Sequence, residues 1–379
     1  MIKFQPKSET ALCIDIALPR KEKSTGVGHR DFEVDFDPMI PVEVDLSRRD
    51  FTINAMAREM KSFALIDPFN GHQDLKNKIL KTVSPKSFEE DPLRLMRAVQ
   101  FAARFDLRID TDTFESMKNN SPLIKTVSPE RISEEIKKLL FAEKPSLGFI
   151  LMDKVGLLKE VFPELAENVG VEQGNKFQND DVFMHTMKVL DASRKDSAIP
   201  QAGDLELMLS ALFHDVGKAR TKRFDKKKNR LTFYNHQFLS RKMAKARMQA
   251  LKMSVLGIDI DRVSRLVEEH MFQTKSFFLK LVDLRIADNR GGKYPEGIKG
   301  VLRLRNKIQE EIEKKTPLNV RDLAIGGKEV MALGVPEGPQ IGNVLKQLLE
   351  FVLDDPDLNS QEKLTEILTH QILQKATHS

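Results

Sequence analysis

Two adjacent arginines, Arg48 and Arg49, lie within Asp-Leu-Ser-Arg-Arg-Asp-Phe-Thr-Ile-Asn-Ala-Met-Ala, residues 45–57. Guanidinium groups flanked by carboxylates are costly to bury, so whatever fold the chain adopts must leave this stretch at a cleft wall or a solvated face. Planar donor forks held by their own acids suit a site for a polyanion such as a triphosphate. Taken alone, the same residues read more simply as a charged helix start.

The chain is long enough for two or three domains and a sizeable core, with 379 residues, 40% of them hydrophobic and 31% charged. Its net charge of +5 is compatible with a nucleic-acid partner without requiring one. The single cysteine, Cys13, excludes an intrachain disulfide and fits a reducing, cytoplasmic setting. No apolar run approaches the roughly 20 residues of a membrane span, so no membrane partner is expected, and the first residues lack the apolar segment of a signal peptide.

Residues 11–18 read as a strand interrupted by Asp15, which either caps a turn or faces a metal. Residues 21–40 read as a charged loop. The Asp35-x-Asp37 pair would share one strand face, but Pro38 argues for a loop, and it is set aside as a metal pair. Residues 51–66 read as a helix running into a strand, followed by a turn at Asp67-Pro68-Phe69-Asn70-Gly71.

Residues 87–105 read as one amphipathic helix, with Ser87 as N-cap and Glu90 completing a capping box. Asp91 and Arg94, three apart, would share a face of it. They can form an intrahelical ion pair worth ~0.3–0.5 kcal/mol, or offer an acceptor and a donor fork to a base edge. Residues 128–170 read as helical, with Ser128 as cap and Ile132, Ile136, Leu139 and Leu140 on the apolar face. Lys137, Lys138 and Lys144 are either phosphate contacts or a solvated face.

A second constellation follows. His185 stands in a helical pattern, and the apolar run 206–213 leads into His214-Asp215-Val216-Gly217-Lys218. His236, His270 and Asp288, with Asp283 as rival, lie downstream. Histidines and carboxylates in this mixture are ligand types for a divalent metal, a transition metal or Mg2+. Gly326-Gly327-Lys328 lacks the spacing of a P-loop, and a helix is expected over 341–353.

These segments together carry a family resemblance. Residues Asp45-x-x-Arg48-Arg49-Asp50-Phe51-Thr52-Ile53-Asn54-Ala55 resemble motif B of the class II tRNA nucleotidyltransferases, the bacterial CCA-adding enzymes and their poly(A) polymerase relatives. Asp67-Pro68-Phe69-Asn70-Gly71 resembles motif C, Glu90-Asp91-Pro92-Leu93-Arg94 with Phe101-Ala102-Ala103-Arg104-Phe105 motif D, and Ser128-Pro129-Glu130-Arg131 motif E. The histidine block resembles an HD domain.

The resemblance implies template-free addition of CMP and AMP to tRNA 3′ ends from CTP and ATP, with Mg2+. It implies Asp15 as an acidic residue beside the catalytic metals and Arg20 as a triphosphate contact. It further implies Arg48, Arg49 and Asp50 on triphosphate and ribose, positioned by Asp45, with Asn54 and Arg97 in the nucleotide site and Asp91 and Arg94 reading the base. In the HD block it implies His185, His214, Asp215 and Asp288 as metal ligands, with Lys218, His236 and His270 toward phosphate.

Family members carry a glycine-rich turn and an Asp-x-Asp well ahead of the strand that Ile14-Asp15-Ile16 matches. The expectation is therefore that these elements are supplied by a missing segment or a separate N-terminal fragment, or that addition has been lost. The expected fold is mostly α, with a truncated α/β head (1–60), a base-recognition neck (61–120), a tRNA-binding body (121–180), a helical HD domain (181–311) and a helical tail (312–379). A metal-dependent HD phosphohydrolase or 2′,3′-cyclic phosphodiesterase, a non-catalytic tRNA-binding subunit of a split enzyme, and a poly(A) polymerase stand as alternatives.

Overall fold

The computed structural model describes residues 2–4, 14–16, 18–24, 32–173, 180–271, 278–292, 296–313, 320–336 and 338–369. The chain divides into two compact units, Met1–Val301 and Leu302–Ser379. It is mostly helical, and the strands described form only two-stranded ladders.

In the first unit, Ile2–Phe4 pairs antiparallel with Ile14–Ile16. Arg20–Ser24 pairs with Phe32–Phe36 over five residues, so the loop expected over 21–40 is largely a hairpin. Its signal was the alternation Phe32, Val34, Phe36, a period of two. Residues 25–31 lie outside the described part.

The helix expected from residue 51 is also absent. Phe51 bridges Thr82, the Thr52 amide donates to the Lys81 carbonyl (2.9 Å), and the Val83 amide donates to that of Asp50 (3.2 Å). This ladder buries Phe51 completely. A 3-10 turn, Thr52–Asn54, and a short hairpin, Ala57–Arg58 with Leu65–Ile66, follow. The Asp67 carboxylate then accepts from the amides of Gly71 (2.7 Å) and His72 (2.9 Å), starting the helix Gly71–Lys76. A Cβ at Gly71 would lie 2.0 Å from the Thr52 carbonyl oxygen, so only glycine permits this approach. The Thr52 hydroxyl donates to Asp74 at 2.7 Å and closes the brace.

Residues 87–105 form two helices, Ser87–Glu90 and Arg94–Phe105, not one. Pro92 is the cause. It drives the preceding Asp91 into extended backbone (φ −140°, ψ 99°), which ends the first helix. The N-cap of the first helix is Lys86, and Ser87 lies inside it. The helix Pro129–Leu140 starts with proline at its first position, and the Ser128 hydroxyl makes no capping bond. Ile132, Ile136, Leu139 and Leu140 are all buried as their spacing requires.

Five longer helices build the histidine region: Val182–Arg194, Leu205–Phe213, His236–Ala250, Ile260–Glu269 and Phe278–Gly291. Asp181, Asp204 and Asp259 cap three of them by accepting the amides of Met184, Leu207 and Arg262. One continuous hydrophobic core runs from Phe51 to Val267. The rings of Phe149, Phe162 and Phe213 chain through it at centroid separations of 5.7 and 6.1 Å.

The second unit has its own core, including Ile325, Val330, Leu348, Val352 and Leu364, and a helix Pro339–Asp354 where one was expected. The division at 301/302 falls ahead of the expected boundary at 311/312. Among the described residues no helix is long and apolar enough to cross a membrane.

Candidate functional site

The arginine pair is held by one carboxylate. The helix Val42–Ser47 carries Asp45, which accepts from Arg48 through Nε (3.0 Å) and Nη2 (2.6 Å) and from Arg49 Nη2 at 3.5 Å. The spacings of three and four residues make this possible at a helix end. Arg49 is the more open of the two, its side chain 47% exposed against 21% for Arg48.

Asp50 faces inward. Its Oδ1 accepts from the Phe51 amide (3.1 Å) and Asn54 Nδ2 (2.7 Å), and its Oδ2 from Arg97 Nε (2.6 Å). Arg97 also stands over the Phe101 ring at 5.2 Å. Asp50, Asn54 and Arg97 therefore form one buried-edge network tying the Arg48-Arg49 turn to the helix Arg94–Phe105.

Arg94 ties the same two elements. Its Nη2 donates to the Arg48 carbonyl at 2.7 Å, and its Nη1 to Glu90 (3.0 Å) and to the Ser87 hydroxyl (3.0 Å) and carbonyl (3.2 Å). Asp91, expected on the same helix face, stands outside that helix. Its Oδ1 accepts from the Leu93 amide (3.1 Å) and its Oδ2 from Arg131 Nη2 (3.0 Å). The sequence reading assigned no role to Arg131 or to Glu90 as partners of this pair. Asp15 and Arg20 belong to strands Ile14–Ile16 and Arg20–Ser24, and their side chains lie outside the described part. Asp37 accepts the Met39 amide at 2.8 Å, a turn contact.

The histidine cluster is buried, and Asp215 is its centre. Asp215 Oδ2 lies 3.1 Å from His214 Nε2, 3.8 Å from His185 Nε2 and 2.7 Å from Lys218 Nζ. Its Oδ1 lies 3.2 Å from His236 Nε2 and 3.8 Å from His270 Nε2. Asp288 Oδ1 is 3.0 Å from His185 Nε2, and its Oδ2 accepts from Arg285 at 2.8 Å. Asp288 thus meets the histidines.

All four imidazoles are oriented alike. Each turns Nδ1 to a main-chain carbonyl: His185 to Gly291 (3.2 Å), His214 to Ala211 (2.8 Å), His236 to Phe233 (2.8 Å) and His270 to Val267 (2.6 Å). In a neutral ring, an Nδ1–H donated to a carbonyl leaves the Nε2 lone pair for the centre, where His236 and His270 meet through Nε2 at 3.3 Å. Two ligand groups result, His185–His214–Asp288 and Asp215–His236–His270. His236 and His270, expected to face phosphate, are therefore equally disposed as cation ligands.

The electrostatics point the same way. Burial opposes charge on His214, yet the Asp215 and Asp288 carboxylates hold its imidazole above the ordinary value. Burial likewise opposes ionisation of Asp215, but His214 and Lys218 keep it well below the carboxylate range. Asp288 is held low against burial by the His185 hydrogen bond and His214. His270 is pushed down to about 4, first by burial and then by His214. His214 Nε2 is buried and faces Asp215 Oδ2 at 3.1 Å and Asp288 Oδ1 at 3.8 Å without the alignment of a hydrogen bond to either. A buried nitrogen converging with two carboxylates is the donor set of a divalent cation, so the residues fit a metal.

The turn that carries His214-Asp215 is fixed from outside. Asn168 donates to the Val216 carbonyl (3.0 Å) and accepts the Ala219 amide (3.1 Å). A Cβ at Gly217 would lie 2.6 Å from the His236 carbonyl oxygen and 2.9 Å from the Ser240 amide. Gln173 accepts from Lys218 Nζ at 2.7 Å. A cavity of about 630 Å³ opens above the cluster, lined by His214, Asp215, Lys218, Tyr234, Arg285 and Asp288 among others.

Three family models match. They are described as "Poly A polymerase head domain" over residues 2–81, "Probable RNA and SrmB- binding site of polymerase A" over 106–168 and "HD domain" over 182–293. The chain is 32% identical over 348 residues to the A-adding tRNA nucleotidyltransferase of Deinococcus radiodurans, covering 83% of this chain and 76% of that protein. It is 39% identical over 210 residues to the multifunctional CCA protein of Nitrosococcus oceani, covering 55% of this chain and only half of that protein. Among solved structures, a CCA-adding enzyme in apo form II matches with a TM-score of 0.56 at 21% identity, covering 97% of this chain and 81% of the other. The Bacillus stearothermophilus CCA-adding enzyme, determined with CTP, matches at 0.54 and 21%, covering 91% and 78%. These two likenesses concern the fold alone.

Proposed function

This chain belongs to the class II tRNA nucleotidyltransferases, the CCA- and A-adding enzymes and poly(A) polymerase relatives that carry an HD domain, and on that premise we propose how its two sites work. The head and neck add CMP or AMP to tRNA 3′ ends, taking CTP or ATP as donor with Mg2+. Arg48 and Arg49 hold the triphosphate, and Asp45 keeps their forks aimed. Asp50, Asn54 and Arg97 are positioning residues that lock this turn to the helix Arg94–Phe105.

Base selection by Asp91 and Arg94 requires an exchange of partners. Arg94 gives up Glu90 and Asp91 gives up Arg131 when a base edge arrives. Both pairs are part-buried, so the arriving base edge must supply the acceptor and donor that replace Glu90 and Arg131. The observation that carries this reading is the Arg94–Arg48 hydrogen bond, which couples the base-reading residue to the triphosphate-holding turn.

The test is incorporation of labelled CMP and AMP into tRNA lacking its terminal CCA. It is run with the chain as given and with the glycine-rich Asp-x-Asp segment of a family member joined ahead of it. Incorporation in either form that disappears on Arg48→Ala with Arg49→Ala supports the reading. Incorporation indifferent to both changes overturns it.

The second site supports a second activity, metal-dependent hydrolysis of a phosphoester or 2′,3′-cyclic phosphate. His185, His214 and Asp288, with Asp215 between them and His236 and His270, would hold divalent metal. A divalent cation held there would supply Lewis acidity and lower the pKa of water. Lys218, bonded to Gln173 and paired with Asp215, would turn toward a phosphate oxygen. The four Nδ1 hydrogen bonds keep every imidazole aimed without reorganisation.

A further inference from the structure

A short basic hairpin forms one wall of the cavity above the histidines. Arg223–Asp225 pairs antiparallel with Arg230–Thr232, and residues 230–234 line the cavity directly. From Lys222 to Arg230 the chain carries six cations, Lys222, Arg223, Lys226, Lys227, Lys228 and Arg230, against the single carboxylate of Asp225. All six are exposed. Asp225 accepts the amides of Lys227 (3.0 Å) and Lys228 (3.1 Å), so its oxygen is engaged in shaping the turn. The local excess of five positive charges equals the +5 of the entire chain.

Two aromatic rings flank these cations on the surface. Phe224 is 57% exposed and Tyr234 58%. Lys228 Nζ stands 5.1 Å from the Tyr234 ring centroid. Singly exposed rings are ordinary on a protein surface, and it is their place among the cations at the cavity rim that is informative. Rings interleaved with lysines are what a single strand of nucleic acid needs: faces for its bases and cations for its phosphates.

We propose that this hairpin is a single-stranded RNA arm that lays a 3′ end into the histidine cavity. The site would then take a terminal phosphoester of a polynucleotide in preference to a free nucleotide. The proposal rests on the hydrolase reading of the histidine site. Lys226, Lys227 and Lys228 contact phosphates, Phe224 and Tyr234 stack bases, and Arg230 leads the backbone over the cavity rim.

The experiment uses the full chain loaded with Ni2+ or Mn2+ and two substrates, a 2′,3′-cyclic nucleoside monophosphate and a single-stranded oligoribonucleotide ending in a 2′,3′-cyclic phosphate. It compares the wild type with Lys226→Ala/Lys227→Ala/Lys228→Ala and with Phe224→Ala. In parallel, fluorescence anisotropy measures binding of an unreactive oligoribonucleotide at several salt concentrations.

The triple variant should keep hydrolysis of the mononucleotide, raise KM for the oligonucleotide, and lower the slope of log affinity against log salt by about two. Phe224→Ala should weaken oligonucleotide binding roughly tenfold. Equal loss on both substrates, or wild-type RNA affinity and salt slope in the triple variant, overturns the proposal. RNA affinity kept while binding to phosphatidylserine vesicles is lost would make the hairpin a membrane contact and overturn it as well. If neither substrate is hydrolysed by the wild type, the hydrolase reading fails and delivery to a catalytic cavity falls with it. Anisotropy then decides only whether the hairpin binds RNA.

Discussion

Arg97 Nε donates to Asp50 Oδ2 at 2.6 Å, across 47 residues of sequence, and this bond fixes the arginine-rich turn to the neck helix. Asp50 is 7% exposed and accepts two further hydrogen bonds. Asp50→Ala leaves the Asn54 amide and the Arg97 guanidinium without their acceptor, so it should destabilise the fold by about 1–3 kcal/mol. Urea unfolding measures this. Arg97→Ala should cost a similar amount, and the double variant should cost less than the sum of the two. Strict additivity would mean the pair is not coupled.

Arg94 separates positioning from base reading. Arg94→Ala should lower kcat/KM for nucleotide transfer and flatten discrimination between CTP and ATP. Glu90→Gln removes the competing carboxylate while leaving the Arg48 carbonyl and Ser87 as partners, so discrimination should be kept. If Glu90→Gln erases selectivity as fully as Arg94→Ala, Glu90 meets the base itself and the assignment moves to it.

Metal content tests the cluster without reference to activity. Elemental analysis after dialysis should find bound divalent metal in the wild type and almost none in Asp215→Asn, whose amide cannot offer two anionic oxygens. Asp215→Asn should leave nucleotide incorporation intact. His236→Ala with His270→Ala should halve the metal content if both ligand groups are filled, and leave it unchanged if only His185, His214 and Asp288 hold an ion. A full complement of metal in Asp215→Asn would displace Asp215 from its central place.

The metal-free chain should show two histidines moved in opposite directions. His270, at about 4, binds fewer protons folded than unfolded between that value and the ordinary 6.5. Its contribution to stability is whole above 6.5 and is lost as pH falls toward 4. His214 lies above its ordinary value, so its contribution is present at low pH and lost as pH rises through the folded value. Proton NMR titration of the imidazoles reads both. His270→Gln should reduce the loss of thermal stability between pH 6.5 and 4. A His270 resonance titrating above 6.5 would contradict the burial argument.

Gly217 is the steric test. Gly217→Ala drives a methyl into the His236 carbonyl, so the His214-Asp215 turn and the helix His236–Ala250 must part. The expected cost is about 1–3 kcal/mol, with weaker metal binding measured by calorimetry. Wild-type stability would show that the two backbones yield.

The histidine cluster was legible because its members are chemically unusual residues and the helices carrying them have plain apolar patterns. Local backbone was less so. Pro92 dictated the break before Arg94, but a strong apolar stripe over Leu93, Met96 and Phe101 masked it. The ladder of residues 50–52 with 81–83 pairs distant segments, and nothing local to Phe51 announces that partner. Partner choice was hidden for the same reason: Arg131 meets Asp91 and Asn168 meets Val216 only after the chain has folded. The hairpin at 223–232 is written in its charges, yet a lysine run alone does not say what it faces.

The core running unbroken from Phe51 to Val267 bears on inheritance. A chain whose two chemistries stand on separate foundations can lose one by mutation and keep the other. Here a cavity at Phe149 or Phe213 loosens both at once. Temperature-sensitive lesions in that stretch should abolish nucleotide addition and the proposed hydrolysis together, and halves of the chain expressed as separate genes should fail to complement each other.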